Sequence, residues 1–111
     1  MNRKSSLTAL VFVIATWCCA VATVAAADAP VRTGKQVVDA ACAMCHSTGA
    51  AGAPKIGDAK AWTPRISQGN DKLFEHVVKG FKAMPARGAC TKCTDVEIKA
   101  AIDYFVTKAQ E

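Results

Sequence analysis

Cys42-Ala43-Met44-Cys45-His46 places two thiols three residues apart and an imidazole directly after the second. On a helical turn side chains at that spacing share a face, so both thiols can reach the two vinyl groups of one porphyrin while the imidazole falls beneath the iron. C-x-x-C-H is the attachment motif of c-type haem. A bare C-x-x-C also serves as half a zinc site or as a dithiol redox pair. The adjoining His46, together with an N-terminal segment that reads as an export signal, favours haem. One covalent haem is expected, on Cys42 and Cys45, with His46 as proximal ligand.

Cys90-Thr91-Lys92-Cys93 repeats the thiol spacing, but Thr94 follows where a second haem would need histidine. Pooling all four cysteines into a zinc site is disfavoured, because the gap between the pairs exceeds the roughly 15 to 20 residues of common zinc ribbons. A Cys90–Cys93 disulfide is expected. It closes a short loop, so its chain-entropy stabilisation is small and its role is to stiffen the turn into the last helix. A redox-active pair is the functional alternative, without the βαβ surroundings that usually carry one.

The iron's second axial ligand must come from elsewhere. Met84 stands in an irregular segment where a thioether can approach the metal, with Pro85 restricting the backbone beside it. Met44 lies inside the attachment turn and points away from the ring. His76 competes, but its neighbours Leu73 and Val77 suggest a partly buried helix residue. A lone methionine usually fills gaps in a core. Met84 is nevertheless the expected ligand, since histidine and methionine together raise the potential, as suits an electron carrier.

These side chains need elements to hold them. Thr33 and Gln36 form a capping box, and Val37, Val38 and Ala41 lie on one stripe leading into Cys42, which predicts a helix delivering the attachment motif. Gly49, Gly52, Pro54 and Gly57 predict a loop from Ser47 to Ala61. Thr63 and Pro64 suggest the start of a short helix through Ser67. Asn70 can cap the next, with Leu73, Phe74, Val77 and Val78 on its apolar face and Gly80 as its stop. Residues 81–93 read as loop. Thr94 and Glu97 make a second capping box, and Ile98, Ala101, Ile102, Phe105 and Val106 follow helical spacing. No run alternates like a strand, so the class is all-α.

The chain has 111 residues, room for one domain. Arg3 and Lys4, the uncharged apolar run Leu7 to Ala22, and Ala25-Ala26-Ala27 read as a cleavable signal peptide over residues 1–27, leaving a mature domain of residues 28–111. The alternative is an uncleaved anchor, since the uncharged stretch is long enough to span a bilayer. Cys18 and Cys19 fall in this run as apolar filler, and Thr16-Trp17 lacks the small residues of a lipoprotein cleavage site. Losing Arg3 and Lys4 lowers the formal charge from +5 to +3. No basic run interleaved with aromatics supports nucleic-acid binding. A weakly positive face suits acidic protein partners better. The mature aromatics, Trp62, Phe74, Phe81, Tyr104 and Phe105, are few for a domain of this size, and a buried haem would complete the core.

Gly52-Ala53-Pro54-Lys55-Ile56-Gly57-Asp58, Trp62, Arg65, Gly80-Phe81-Lys82-Ala83-Met84-Pro85 and the Cys90/Cys93 pair resemble bacterial cytochrome c5, over nearly all of residues 33–108. The resemblance implies a class I cytochrome c fold of about four short helices around one haem c, the first and last helices crossing beside it. It implies the same roles for Cys42, Cys45, His46, Met84, Cys90 and Cys93, and adds that the Pro54 carbonyl accepts the second N–H of His46, fixing the ring. Trp62 is expected either at the haem edge with its indole N–H on a propionate, or as plain core packing. Arg65 either pairs with a propionate or lies on a solvated face. Ala89 departs from the family, which has glycine there, and bears on the local turn.

The expected function is a periplasmic single-electron carrier that catalyses no reaction of its own. Its partners would be redox proteins such as membrane respiratory complexes, a terminal oxidase or reductases, with weak self-association through the haem face conceivable. The rivals are a haem with a labile Met84 bond, open to peroxide or a small gas, and a haem-free zinc or dithiol protein.

Overall fold

Thr33 accepts the Gln36 backbone N–H at 3.3 Å while the Gln36 side chain accepts the Thr33 N–H at 2.8 Å, and this capping box starts the first helix in the computed structural model, which describes residues 29–111. The expected signal peptide, residues 1–27, lies outside the described residues. Helix α1 covers residues 34–46 in three pieces: α-helical Gly34–Val37, a π turn over Val38–Cys42, and α-helical Ala43–His46. The π turn was not legible in the apolar spacing. Its extra residue per turn places Cys42 Sγ 3.9 Å from the Val37 carbonyl, five residues back.

Helix α2, Ala59–Ile66, begins five residues before the expected start, with Thr63 as cap and Pro64 as first helical residue. Asp58 accepts the Ala61 N–H at 3.1 Å and is the cap, and Pro64 sits inside the helix, where it has no N–H for the Lys60 carbonyl. The earlier start prevails because it includes Trp62 in the helix, where the indole packs 5.0 Å from the Phe105 ring. Helix α3, Asn70–Lys79, is capped by Gly69 (φ 90°, ψ 155°) and not by Asn70. The Asn70 side chain instead donates to Asp103 at 3.1 Å, tying α3 to the last helix. Gly80 ends α3 as expected. Helix α4, Asp95–Gln110, opens on the Thr94/Glu97 capping box. Short 3₁₀ turns, Ala50–Gly52 and Ala86–Ala89, lie in the two long loops, and among the described residues extended pairing is confined to an isolated Phe81/Met84 bridge.

The four helices bury Val37, Val38, Trp62, Leu73, Ile98, Ala101, Ile102 and Phe105. Phe74, Val77 and Val106 are half-buried around that core. Helices α1 and α4 cross at Gly34, where a Cβ would stand 2.0 Å from the Ala100 carbonyl oxygen. The absence of a side chain is what lets the two backbones touch.

Arg32, just before α1, locks the same pair from outside. Its Nε and Nη2 donate to the two Glu97 carboxylate oxygens at 2.8 and 2.9 Å, and its backbone N–H reaches the same carboxylate at 3.2 Å. The Arg32 guanidinium first, then the Thr94 and Arg32 backbone N–H groups, holds Glu97 well below the usual carboxylate range. A depressed folded-state pKa contributes stability above the unfolded value, about 4.3 for glutamate, and that contribution disappears as pH falls through the folded value. Glu97→Gln is therefore expected to lower the melting temperature at pH 7 and to flatten its decline below about pH 4.3, as read from thermal melts across a pH series.

Candidate functional site

A cavity of about 380 Å³ opens between the four helices and the two long loops. Cys42, Cys45, His46, Pro54, Trp62 and Met84 all line it, so one wall-to-wall space gathers every haem-site residue expected from sequence. It is mostly apolar, within the size range of pockets that hold small molecules.

His46 ends α1 and is buried, with 8% of its surface exposed. Its Nδ1 lies 2.8 Å from the Pro54 carbonyl oxygen. A carbonyl can only accept, so Nδ1 carries the proton and Nε2 keeps its lone pair for coordination. Phe105 meets the ring edge-on at 4.9 Å, and the His46 carbonyl accepts the Ile56 N–H at 2.9 Å. The ring is thus held on several sides.

Trp62 takes one of the two arrangements expected of it. Its indole N–H donates to the Lys55 carbonyl at 2.7 Å, so it is committed to the loop and not directed at a propionate. With Pro54 bonded to His46 and Lys55 bonded to Trp62, consecutive carbonyls of one loop are pinned by α1 and α2. Trp62 therefore acts on the site by bracing the proline that orients His46. Arg65 is half-buried at the cavity wall and donates back to the Ala61 carbonyl, curled against its own helix.

Cys42 is half-buried and Cys45 exposed, and neither is joined in a disulfide. Burial pushes the Cys42 thiol above its ordinary range. Met84 is half-buried in a tight turn closed by reciprocal bonds, Phe81 N–H to Met84 O at 3.0 Å and Met84 N–H to Phe81 O at 2.9 Å. Gly80 starts that turn at φ 85°, ψ 156°, a region essentially reserved for glycine. A Cβ there would come within 3.0 Å of the Met84 oxygen. Met44, the other methionine among the described residues, is 81% exposed at the rim. His76 reaches the wall from α3 and stacks on Phe81, with ring centroids 4.1 Å apart and planes at 16°. Sequence reasoning missed this contact, since residues on a helix and in an irregular loop carry no mutual signal.

Cys90 and Cys93 are joined in a disulfide at the cavity wall. Arg87 donates to the Cys93 carbonyl at 2.6 Å and to Asp95 at 2.9 Å, binding the loop to the start of α4. The turn forms with Ala89 at φ 62°, a left-handed conformation that costs an alanine more than a glycine. Two cysteines on one helix outside any disulfide, an imidazole fixed by its far nitrogen and a thioether on a loop, around one apolar space, form a donor set that fits a c-type haem.

Comparison with known proteins agrees. The family model described as cytochrome c oxidase, cbb3-type, subunit III, matches residues 29–105. Cytochrome c-555 of Chlorobaculum tepidum is 46% identical over 81 residues, 69% of this chain and 75% of that protein. Cytochrome c5 of Azotobacter vinelandii is 45% identical over 73 residues, 64% of this chain and 88% of that protein. Among solved structures, a cytochrome c in an electron transfer complex with nitrite reductase superposes with a TM-score of 0.67 at 40% identity, covering 72% of this chain and 99% of that one. A mono-haem ferrocytochrome c from Shewanella putrefaciens gives 0.62 at 43% identity, covering 69% and 95%. With its helical fold and its donor set, the chain belongs to the class I c-type cytochromes, similar to cytochromes c5 and c-555, and is an electron carrier with one covalently bound haem.

Proposed function

We propose that the chain, matured by removal of residues 1–27, carries single electrons between redox proteins in the periplasm, within a respiratory chain, and is not itself an enzyme. Cys42 and Cys45 tether the haem, His46 is the proximal ligand and Met84 the distal one. The bound haem supplies a one-electron Fe(II)/Fe(III) couple. The observation that carries this reading is the His46 Nδ1 to Pro54 bond of 2.8 Å, which presents Nε2 to a cavity that Met84 also lines.

The protein's own part is to hold that couple still and dry. Trp62 and Pro54 stop the His46 ring from turning, and Phe105 packs against it. Met84, in its short closed turn at the cavity wall, would hold the iron through its thioether opposite His46 and so leave no site on the metal for a substrate. Apolar walls exclude water, which keeps rearrangement on electron transfer small. The mildly basic surface steers acidic partners without binding them tightly, and a carrier must release quickly. The solved complex of a related cytochrome c with nitrite reductase supports a redox enzyme as partner. Among the described residues no helix is long and apolar enough to cross a membrane.

The test is an absorption spectrum and pyridine haemochrome on the periplasmic fraction of cells producing the chain. One thioether-linked haem per chain is expected there, lost in His46→Ala. Protein that is colourless and binds zinc would overturn the reading.

A further inference from the structure

The loop that carries Met84 is held against its own preferences. Lys82, Arg87 and Ala89 have φ of 52°, 58° and 62°, three non-glycine residues in the left-handed region within eight positions. Such conformations persist only where surrounding contacts over-determine them. At its far end the loop is fastened by the Cys90–Cys93 disulfide and by Arg87, which bridges to Cys93 and Asp95. At its near end, between Gly80 and Pro85, the backbone bonds of Phe81 and Met84 close only the turn itself. They do not attach that turn to a helix.

Burial does not hold it either, because Phe81 is 43% exposed. What does reach the turn from a rigid element is the His76 ring, on the last part of α3, lying nearly parallel to Phe81 at 4.1 Å. Lys82 Nζ lies 5.4 Å from the same Phe81 ring. Because Phe81 and Met84 exchange both backbone bonds, whatever fixes Phe81 fixes the Met84 backbone.

We propose that His76 is a positioning residue for the distal ligand: by stacking on Phe81 it clamps the Met84 turn to α3 and slows loss of the methionine from the metal. This rests on the reading of Met84 as distal ligand. His76 acts through Phe81 and is not a ligand. The imidazole is used here as a flat ring.

The inference is tested on the haem-loaded protein with exogenous imidazole, which enters the ferric site only when Met84 leaves. His76→Ala is expected to speed imidazole capture at saturating imidazole by roughly 3- to 10-fold, the range that an aromatic pair supports. Exchange of the Phe81 and Met84 amides accelerates as well, while amides of α4 do not change. His76→Phe keeps a ring and restores both. Phe81→Ala, at an exposed position, reproduces the loosening even if His76→Ala fails to fold, and the double variant adds nothing further. Capture and exchange within a factor of about two of the parent in His76→Ala or Phe81→Ala, or a His76→Phe protein as loose as His76→Ala, overturns the clamp. Met84→Ala separates the two claims. If that variant keeps the weak far-red absorption of sulfur-ligated ferric haem, the ligand assignment falls and the clamp with it; if the absorption is lost and His76→Ala changes nothing, the clamp alone falls.

Discussion

Met84→Ala is expected to leave a folded, covalently haem-loaded protein that has lost the far-red absorption of its ferric form and binds carbon monoxide promptly when reduced. The fold survives because Met84 is only half-buried and lies in a loop fastened elsewhere by the disulfide and Arg87. Attachment survives because Cys42, Cys45 and His46 all lie on α1. The ligand field does not survive. Thioether sulfur favours the reduced iron, and replacing it by water or an open position is expected to lower the potential on the order of 0.1 V, a modest part of the ~0.8 V that axial ligation spans. Redox titration and carbon monoxide binding read the two effects independently. Parent protein that binds carbon monoxide as fast as the variant would favour a haem open to small molecules over a closed carrier.

Gly34→Ala produces the largest loss of stability expected of a single methyl group here. Alanine is the better helix former by up to about 1 kcal/mol, so an isolated helix would gain. In the folded chain the new Cβ would stand 2.0 Å from the Ala100 carbonyl oxygen and 2.6 Å from its carbon, both backbone atoms, with Tyr104 Cβ at 3.2 Å. Backbone on a helix cannot turn aside as a side chain can. Helices α1 and α4 must therefore separate, and that loosens Val37 and Val38 against Ile98, Ala101 and Phe105, the centre of the core. Overpacking of this kind costs about 3 kcal/mol or slightly more, or on the order of 15 °C in melting temperature for a domain of this size. A melt within about 3 °C of the parent would show that the crossing can shift without penalty.

The two capping boxes, at Thr33/Gln36 and Thr94/Glu97, were legible because a cap and its partner lie three residues apart and need nothing from the rest of the chain. The Asp58 cap was legible in principle, but the Thr63-Pro64 pair offers the same kind of start. Local chemistry could not choose between them, whereas the packing of Trp62 on Phe105 does. Asn70 looked like a cap for a similar reason, and the distant Asp103 takes its side chain instead.

The amino-acid sequence by itself determined what chemistry is possible: two thiols and an imidazole at a spacing that a helical turn presents to one porphyrin, a methionine on a restrained loop, and a second cysteine pair with no histidine to follow it. Within the attachment motif, and within the second cysteine pair, the groups lie a few residues apart, so their local geometry follows from covalent structure and helical period, whereas the approach of Met84 to the same cavity does not. Only the tertiary structure fixed which groups meet across elements: Gly34 against Ala100 and Arg32 on Glu97 over more than sixty residues, and, over a few residues, the Trp62 indole N–H on the Lys55 carbonyl and His76 on Phe81. No periodicity encodes such pairs, because each depends on how whole helices come to rest once their apolar faces are buried together.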